Sequence, residues 1–355
     1  MKKTICLMIK KIGRKYYSGT KIYATELYEG LKKDKSLDVI LIAAPENSVW
    51  DKSNFLFFVY GLYKLLNLLL SRKVDGFHAL SHVYSPYFPI LKLFGVKVFV
   101  TILDVPEAPL NQSRYFDKGI IDIVLNKLYG FFIRFADYYI SISEMNKEKL
   151  ISIGIKPNRI TVVHLAAEEK FRPIEGLRDF KNPIIGFMGG RISKKTLINV
   201  VKLKRVFKNI LKKYSNCKFI ISGVDKYNRI QDIMMKEREI QYKKFIPVED
   251  VGYFYNSLYL YVHVSDYEGF GLSLIESQVC GTPVIILKDA QIPKEVSETC
   301  IKVKSFDDLE KKIEFLLNNI DLWRKISERG LKYCKRFVWS KTVKKTIKAY
   351  KKLLT

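Results

Sequence analysis

The stretch LYLYVHVSDYEGFGLSLIESQVCGTPVI, residues 258–285, decides the fold of this chain. It begins with an apolar and aromatic run up to Ser265, continues through a loop from Asp266 to Gly271, and then changes to helical spacing. A second apolar run, TPVIIL at 282–287, follows the helical segment. A buried strand, a helix and another buried strand are typical of a parallel sheet covered on both faces. We therefore predict a strand–helix–strand unit here.

The same alternation runs along the whole chain. Apolar runs rich in β-branched residues predict strands at 4–9, 37–44, 76–80, 96–103, 138–143, 160–166, 184–190, 218–224, 258–265 and 282–287. Helical periodicity lies between them, at 22–33, 55–70, 119–135, 144–154, 197–213, 229–239, 272–279 and 307–318. A polar connector with prolines, FRPIEGLRDFKNP at 171–183, separates the two series and is the expected hinge. The sequence thus predicts an α/β fold of two doubly wound parallel-sheet domains, 1–175 and 180–337, facing a cleft.

Composition excludes several classes of protein. The chain has 355 residues, of which 48% are hydrophobic, enough for two cores, so disorder and collagen-like repeats are excluded. Lys and Arg total 62 against 36 Asp and Glu, a net charge of +26. A basic surface attracts polyanions, but many of these lysines alternate with apolar stripes, which is equally typical of solvated helix faces. No zinc-finger, RRM-like or KH-like pattern occurs, so we expect no nucleic-acid partner.

Cysteine usage and apolar segments bear on the compartment. The five cysteines are scattered without a Cys-x-x-Cys pair, which favours a reducing, cytoplasmic compartment. The N-terminal segment MKKTICLMIKKIG is too briefly apolar for a signal peptide and predicts a buried strand instead. The run Phe55–Leu70 is 16 residues long, interrupted by Lys64 and Asn67, and falls short of a membrane span. A core helix is favoured, with a helix lying on a membrane surface as the alternative.

The loop of the deciding stretch carries the chemistry. Glu268 lies in the loop and Glu276 about one turn inside the following helix. The backbone N–H groups of Gly271, Leu272 and Ser273 are predicted to form an anion site at the helix N-terminus. A diphosphate bound there would leave both carboxylates free to accept hydrogen bonds from sugar hydroxyls. The sequence predicts a site for a phosphorylated sugar.

The same stretch resembles the signature of glycosyltransferase family 4, whose GT-B fold has two Rossmann-like domains. The hallmark is a Glu, seven residues and a second Glu, here Glu268 and Glu276, within EGFGLSLIES and followed by CGTPVI. The resemblance extends to YSGTKIYATELYEGL at 17–31, to the segment 136–164, and to GFMGGRISKK at 186–195. The tail, 336–354, resembles the helix that crosses back to the first domain, so we expect 338–355 to pack there.

The resemblance implies roles for individual residues. Glu268 would contact the donor sugar near its 3-hydroxyl and anomeric side, and Glu276 the ribose hydroxyls. Arg191, with Lys195 or its neighbour Lys194, would neutralise the diphosphate, as the charge that develops on a leaving group requires. The candidate residues for donor binding also include Phe270, Gly271, Leu272, Ser273, Gly190 and Gly19.

The sequence departs from the family pattern in the first domain. Leu103 precedes Asp104 where the family usually has a His that reaches the 6-hydroxyl of the donor sugar. His82 or His78 could substitute for it. Lys21 stands where a second glycine is common and either reaches phosphate or faces solvent. Asp104, His82 and Lys21 are therefore the candidates on the acceptor or sugar side.

These observations lead to one expected function and two alternatives. We expect a retaining, front-face transfer of a sugar from a nucleotide-sugar to a glycan or lipid-linked glycan, in the cytoplasm or peripherally on the anionic cytoplasmic membrane face. No suitable Asp-x-Asp pair occurs, so we expect no metal and no cofactor. An epimerase-like GT-B enzyme and a non-enzymatic polyanion-binding protein are the alternatives. We expect His164 and His263 to be core or wall residues, and Trp339 to pack between the domains.

Overall fold

The computed structural model describes residues 2–13, 18–71, 74–105, 120–192, 194–225, 230–231 and 240–354. They form two compact units. The first unit comprises the described residues up to Leu165 together with Trp339–Leu354, and the second runs from Ala166 to Val338.

The first unit is built on a parallel sheet of six strands in the described residues, in the order β2-β1-β3-β4-β5-β6. Their buried, largely apolar sequences explain why they form the interior of the unit: Ile5, Cys6, Leu7 and Met8 of β1, which lies between β2 and β3, are fully buried. The strands are β1 Lys3–Met8, β2 Leu37–Ile42, β3 Gly76–Ala79, β4 Lys97–Ile102, β5 Tyr138–Ser141 and β6 Ile160–Val162.

Helices cover this sheet. In chain order they are α1 Gly19–Lys32, α2 Asn54–Ser71, α3 Phe88–Leu93, α4 Ile120–Phe132 and α5 Glu144–Ser152, with 3-10 turns at Val49–Asp51, His82–Tyr87, Ile133–Phe135 and Pro157–Arg159. The C-terminal helix, Trp339–Leu354, belongs to the same unit. It packs so closely against α1 that a Cβ at Gly30 would overlap the side chain of Val343. The Tyr350 hydroxyl of this helix lies 2.7 Å from Nδ1 of His78 in β3.

The second unit repeats the arrangement, with six described parallel strands in the order β12-β11-β10-β7-β8-β9. The strands are β7 Ile184–Ile192, β8 Lys218–Asp225, β9 Ile240–Lys243, β10 Leu258–His263, β11 Val284–Leu287 and β12 Ile301–Val303. The helices are α6 Lys194–Lys213, α7 Val251–Ser257, α8 Leu272–Val279, α9 Lys294–Ser297, α10 Phe306–Leu317 and α11 Ile320–Cys334, and the C-terminal helix is α12. The predicted fold of two doubly wound parallel sheets is confirmed.

Details of the second unit differ from the expectation. Strands β9 and β12 are short and escape a search for long apolar runs. The predicted helix at 229–239 falls mostly outside the described residues. The connector expected as a hinge is held on the second unit: Arg178 donates to the Leu258 carbonyl at 2.6 Å, and Ile174 N donates to Asn256 Oδ1 at 2.8 Å. The first unit therefore ends at Leu165 rather than at 175.

Helix α2 corrects the interpretation of Phe55–Leu70 as a core helix. Only Phe57, Gly61 and Leu65 are buried, which is a single stripe with a spacing of four residues. The remainder of this apolar helix is partly or fully exposed, with Phe55 73% and Leu70 77% accessible. The helix is also the one among the described residues that is long and apolar enough to cross a membrane by length and composition.

Candidate functional site

The loop between β10 and α8 lies at the carboxyl end of the second sheet, where ligands of parallel sheets bind. Its backbone is fixed by a neighbouring turn, because Gln291 N donates to the Asp266 carbonyl at 2.8 Å and Glu268 N donates to the Gln291 carbonyl at 2.9 Å. These bonds hold the peptide that carries Glu268 in one place.

Gly271 turns the loop into the helix. Its φ is +103°, in the left-handed region that other residues avoid, and it precedes the first helical residue, Leu272. A Cβ here would lie 3.3 Å from Leu274 Cδ1 and 3.4 Å from Val296 Cγ2. The glycine therefore allows both the turn and the close packing beneath it. The N-terminal N–H groups of α8 follow directly.

A second helix begins next to this loop. Thr196 in the first turn of α6 donates to Asp266 Oδ1 at 2.9 Å, and Asn199 donates to the Val264 carbonyl at 3.0 Å. Lys195 Nζ lies 4.0 Å from Asp266 Oδ2, and its side chain is 73% exposed. Gly190 and Arg191 lie at the end of β7 and Lys194 begins α6, but the structure does not describe their side chains. The N-termini of α6 and α8 thus flank one loop.

Glu268 is paired with a histidine. Its Oε1 lies 3.3 Å from Nε2 of His263, the last residue of β10, whose side chain is 2% exposed compared with 18% for Glu268. Nδ1 of His263 lies 3.2 Å from the hydroxyl of Tyr261, two residues earlier on the same face of the strand. Burial raises the pKa of Tyr261 well above its usual value, and Ser273 in α8 hydrogen-bonds to the same hydroxyl.

Glu276 lies deeper in the unit. It is 1% exposed, and the Tyr255 hydroxyl donates to its Oε2 at 3.4 Å. Both glutamates lie close enough to Tyr261 for their negative charges to raise its pKa. The predicted pair of carboxylates is therefore brought to one place, with aromatic hydroxyls behind it.

Phe270, a predicted donor-binding residue, has a buried side chain. Its ring is 3% exposed and packs edge to face against Phe337 at a centroid distance of 5.9 Å. The side chain is part of the hydrophobic interior of the second unit, since an apolar ring gains more from burial than from a polar site. Only its peptide group lies in the candidate loop.

The candidates on the acceptor side lie in the first unit. Gly19 begins α1, and Lys21 lies in its first turn, where burial and the neighbouring Lys11 lower the pKa of Lys21. Asp104 follows β4. Burial lowers the pKa of Lys149, and the negative charge of Asp104 opposes part of this shift. His82 is buried, and its ring contacts that of Tyr129 at 6.0 Å. His78, the other proposed substitute, bonds to Tyr350 and Thr101 inside the unit and is a core residue.

Other features are not part of the candidate site. A cavity of about 280 Å³ is lined by Pro183, Asn216 and Cys217 among others. These residues precede β7 and β8, so the cavity lies at the amino ends of the strands, opposite the loop.

Within the described part of the chain, no group of three or more His, Cys, Asp or Glu could hold a metal ion. Trp339 packs against Tyr23 in the first unit, with ring centroids 6.4 Å apart.

The sequence interpretation missed the residues that support the loop. Thr196, Asp266 and Tyr261 were not candidates, and His263 was assigned to the core or wall. A signal was present: Tyr261 and His263 share one face of a strand that ends just before Glu268, so their polar ends must meet a partner there.

Comparison with known proteins places the chain in a family. Residues 17–168 match the model described as Glycosyltransferase Family 4, and residues 169–333 match the model of Glycosyl transferases group 1. Together the matches account for nearly all of both units. The chain belongs to glycosyltransferase family 4 and is a glycosyltransferase of the GT-B type.

The relatives that are named for an activity are distant in sequence. The chain is 25% identical over 278 residues to O-antigen chain mannosyltransferase B of Escherichia coli, which covers 72% of this chain and 68% of the relative. It is 22% identical over 255 residues to N,N'-diacetylbacillosaminyl-diphospho-undecaprenol alpha-1,3-N-acetylgalactosaminyltransferase of Campylobacter jejuni, covering 65% and 67%. The solved structure of HepE from Anabaena in complex with UDP-glucose matches with a TM-score of 0.71, 12% identity and coverage of 99% and 100%.

Proposed function

We propose that this chain transfers a sugar from a nucleotide-sugar donor to a glycan or lipid-linked glycan acceptor, with retention of anomeric configuration and without a metal ion. The observation that carries the proposal is the loop of Glu268, flanked by the N-termini of α6 and α8 and backed by Glu276. The family membership supplies the reaction class.

The donor would bind through its diphosphate and its rings. Backbone N–H groups of Gly271, Leu272 and Ser273 are suited to phosphate oxygens, because a helix N-terminus carries unpaired donors and a positive dipole end. Lys195, exposed beside Asp266, and Arg191 with Lys194 would add positive charge. Such charge stabilises the leaving nucleoside diphosphate in the transition state. HepE with UDP-glucose is an example of a donor complex on this fold.

Each glutamate has a distinct proposed role. Glu268, the more exposed, would accept hydrogen bonds from the transferred sugar, and Glu276 would accept them from the ribose. With Glu276 assigned to the ribose and Asp266 hydrogen-bonded to Thr196, no carboxylate of the described loop is left to join Glu268 in forming a covalent sugar intermediate. We therefore favour attack of the acceptor hydroxyl on the face from which the diphosphate leaves, with a phosphate oxygen taking the hydroxyl proton.

The acceptor proposal draws on the relatives. One is named for building an O-antigen chain and another for adding a sugar to a diphospho-undecaprenol carrier. Glycans on lipid carriers are therefore the first acceptors to test. Asp104, His82, Lys21 and Gly19 of the first unit are the proposed residues on the acceptor or sugar side.

We also propose peripheral contact with an anionic membrane on its cytoplasmic face. Besides Phe55 and Leu70, α2 exposes Val59 and Tyr63, and α4 exposes Val124, Leu128 and Phe131. Both helices are anchored on the same 3-10 turn: the Tyr87 hydroxyl donates to the Phe58 carbonyl at 2.7 Å, and Ser85 donates to the Tyr129 carbonyl at 3.2 Å. Exposed apolar side chains on a protein of charge +26 suit an anionic bilayer.

The deciding experiment is a panel of nucleotide-sugars tested for thermal stabilisation and then for transfer. A donor at 100 times its Kd should raise the free energy of unfolding by about 2.7 kcal/mol. Transfer should persist in excess chelator and fall by orders of magnitude in Glu268→Gln, while Glu249→Gln, an exposed glutamate of the same unit, serves as the control. Loss of transfer with chelator would contradict metal independence. Full activity in Glu268→Gln would contradict the site, and polyanion binding without any donor response would favour the non-enzymatic alternative.

A further inference from the structure

We propose that Lys10, Lys11 and Lys21 bind the phosphate group of a lipid phosphate, and that the apolar chain of this lipid lies along the exposed side of α2. The proposal rests on the proposed function only in taking the lipid to be the carrier of the acceptor glycan. It assigns recognition of the acceptor to the phosphate beside the lipid chain rather than to the sugars alone. Binding of the lipid can be tested without any donor.

The three lysines, which we call the lysine cluster, lie together at the carboxyl end of β1. Lys10 and Lys11 follow this strand, and Lys21 lies in the first turn of α1, the next helix. The backbone of Lys10 is fixed, because its N–H donates to the Tyr84 hydroxyl at 2.7 Å and its carbonyl accepts from Ala44 N at 3.0 Å. The cluster therefore has a defined place at the edge of the sheet where ligands of parallel sheets bind.

The lysine cluster carries more positive than negative charge. Burial lowers the pKa of Lys10 and of Lys21, and the charge of Lys11 lowers both further. The carboxylates that oppose these shifts are those of Asp51 and Glu46, and Asp51 Oδ1 lies 2.7 Å from Lys11 Nζ. Among these described side chains, three amino groups and two carboxylates leave a positive charge in a partly desolvated place. A phosphate would supply the anion that such a place favours.

The lysine cluster adjoins the start of α2. Lys10 Nζ donates to Oδ1 of Asn54, the first residue of that helix, at 3.2 Å. Phe55 comes next and is exposed, and the exposed residues Val59 and Tyr63 follow it at intervals of four residues. Residues with this spacing share one side of a helix. A cationic place at the end of an exposed apolar side is complementary to a phosphate at the end of an apolar chain.

The composition of α2 suits an apolar chain along its whole length. The helix has 18 residues, which corresponds to about 27 Å. Its sequence contains no Asp or Glu, its one charged residue is Lys64, and the exposed Leu70 lies in its last turn. Near its start, Trp50 stacks on Tyr60 with ring centroids 5.4 Å apart. Such rings are favoured where a lipid head meets its apolar chain.

A single-chain lipid phosphate fits these observations better than inorganic phosphate or a bilayer phospholipid. Inorganic phosphate would occupy the lysine cluster and leave the apolar side of α2 uncovered. A phospholipid presents its phosphate as a diester with one negative charge, whereas a terminal phosphate ester carries about two near neutral pH. The greater charge suits a cluster of several lysines, and one chain suits one helix.

The direct test measures binding of the full chain to vesicles without donor. One set of vesicles contains phosphatidylcholine with polyisoprenyl phosphate, and the other contains phosphatidylcholine with phosphatidylglycerol at the same surface charge. We expect the natural chain to bind the first set about tenfold more tightly, and inorganic phosphate not to displace it. Equal binding to both sets would overturn the proposal, because bilayer charge alone would then attract the chain. Displacement by inorganic phosphate would overturn the assignment to a lipid.

Charge variants test the lysine cluster itself. The double variant Lys10→Gln, Lys11→Gln should lose the preference for polyisoprenyl phosphate, and Lys10→Arg, Lys11→Arg should keep it, since arginine also binds phosphate. The control is Lys344→Gln, Lys348→Gln, which removes two exposed lysines from α12 of the same unit and should keep the preference. A preference that survives in the first variant, or is lost equally in the control, would overturn the proposal. If the first variant does not fold, Lys11→Gln alone decides, because that side chain is 43% exposed.

A kinetic test separates this proposal from the proposed function. With a donor that supports transfer, the double glutamine variant should raise the KM for a lipid-diphosphate-linked acceptor about tenfold and leave the KM for the donor unchanged. The natural chain and the variant should use the same glycan without its lipid phosphate equally well. An unchanged KM for the lipid-linked acceptor would contradict this proposal and leave the proposed function standing. If no donor supports transfer, the proposed function fails, and the vesicle test still decides whether the lysine cluster binds a lipid phosphate.

Discussion

Thr196 and Asp266 join two parts of the second unit that are 70 residues apart in sequence, through a hydrogen bond of 2.9 Å from the threonine hydroxyl to Oδ1. This bond ties the first turn of α6, with Lys194 and Lys195, to the loop of Glu268. The relative position of the cationic and acidic parts of the proposed donor site therefore depends on it.

We expect Thr196→Val to loosen that connection. Loss of the buried hydrogen bond should lower the free energy of unfolding by about 1 kcal/mol, and the KM for the donor should rise several-fold because Lys195 is less well placed. Thermal unfolding and donor titration measure the two effects.

Thr342→Val is the matched control. Thr342 is a buried threonine in the first turn of α12 that donates to the His164 carbonyl at 2.8 Å. It should lose similar stability while leaving the KM for the donor unchanged. Equal effects on KM in both variants would show that Thr196 acts only through general stability.

Gly271→Ala tests the turn that begins α8. Alanine would be strained at a φ of +103° and crowded by Leu274 and Val296, so we expect a loss of about 2 kcal/mol and weaker donor binding. Gly176→Ala separates the two causes, because Gly176 has a φ of +75° with open space around it and should lose only about 1 kcal/mol. Chemical denaturation measures both, and unchanged donor affinity in Gly271→Ala would argue against a phosphate site at this turn.

The exposed apolar residues of α2 predict how the chain responds to lipid. Phe55→Ser and Leu70→Ser should each weaken binding to anionic vesicles about tenfold, since each removes a large side chain that a bilayer would bury. Phe245→Ser is the control, because Phe245 is 69% exposed but belongs to the second unit. Flotation at low and high salt measures binding. Retention of both α2 variants, or equal loss in the control, would contradict a membrane role for α2.

His78 predicts part of the acid sensitivity of the chain. Burial lowers its pKa from 6.5 to about 3, because the neutral ring is enclosed between Tyr350 and Thr101. The unfolded chain therefore binds a proton that the folded chain does not, and stability falls as the pH drops from about 6.5 toward 3. His78→Gln should be less stable at neutral pH but should lose less stability on acidification. An unchanged pH dependence of the unfolding free energy would contradict this assignment.

Much of the fold could be predicted from sequence because the strands are long apolar runs. The run VKVFVTIL predicts a strand at 96–103, and the structure has Lys97–Ile102. The segment Ile301–Val303 was missed because three residues carry too little pattern to separate a strand from a turn. The exposure of α2 is only the alternative interpretation of its sequence, for a different reason: an apolar sequence shows that a side chain prefers burial, but not whether the fold provides a surface to bury it.

The sequence by itself determined the class of the chain, the alternation of strands and helices, and the two glutamates of the signature. These are local properties, since periodicity and motif spacing act over a few residues. Only the tertiary structure decided that His263 lies behind Glu268, that Thr196 holds Asp266, and that Phe270 faces the interior. Such pairings join residues from different strands, loops and helices, and they depend on how the elements pack, which no local pattern specifies.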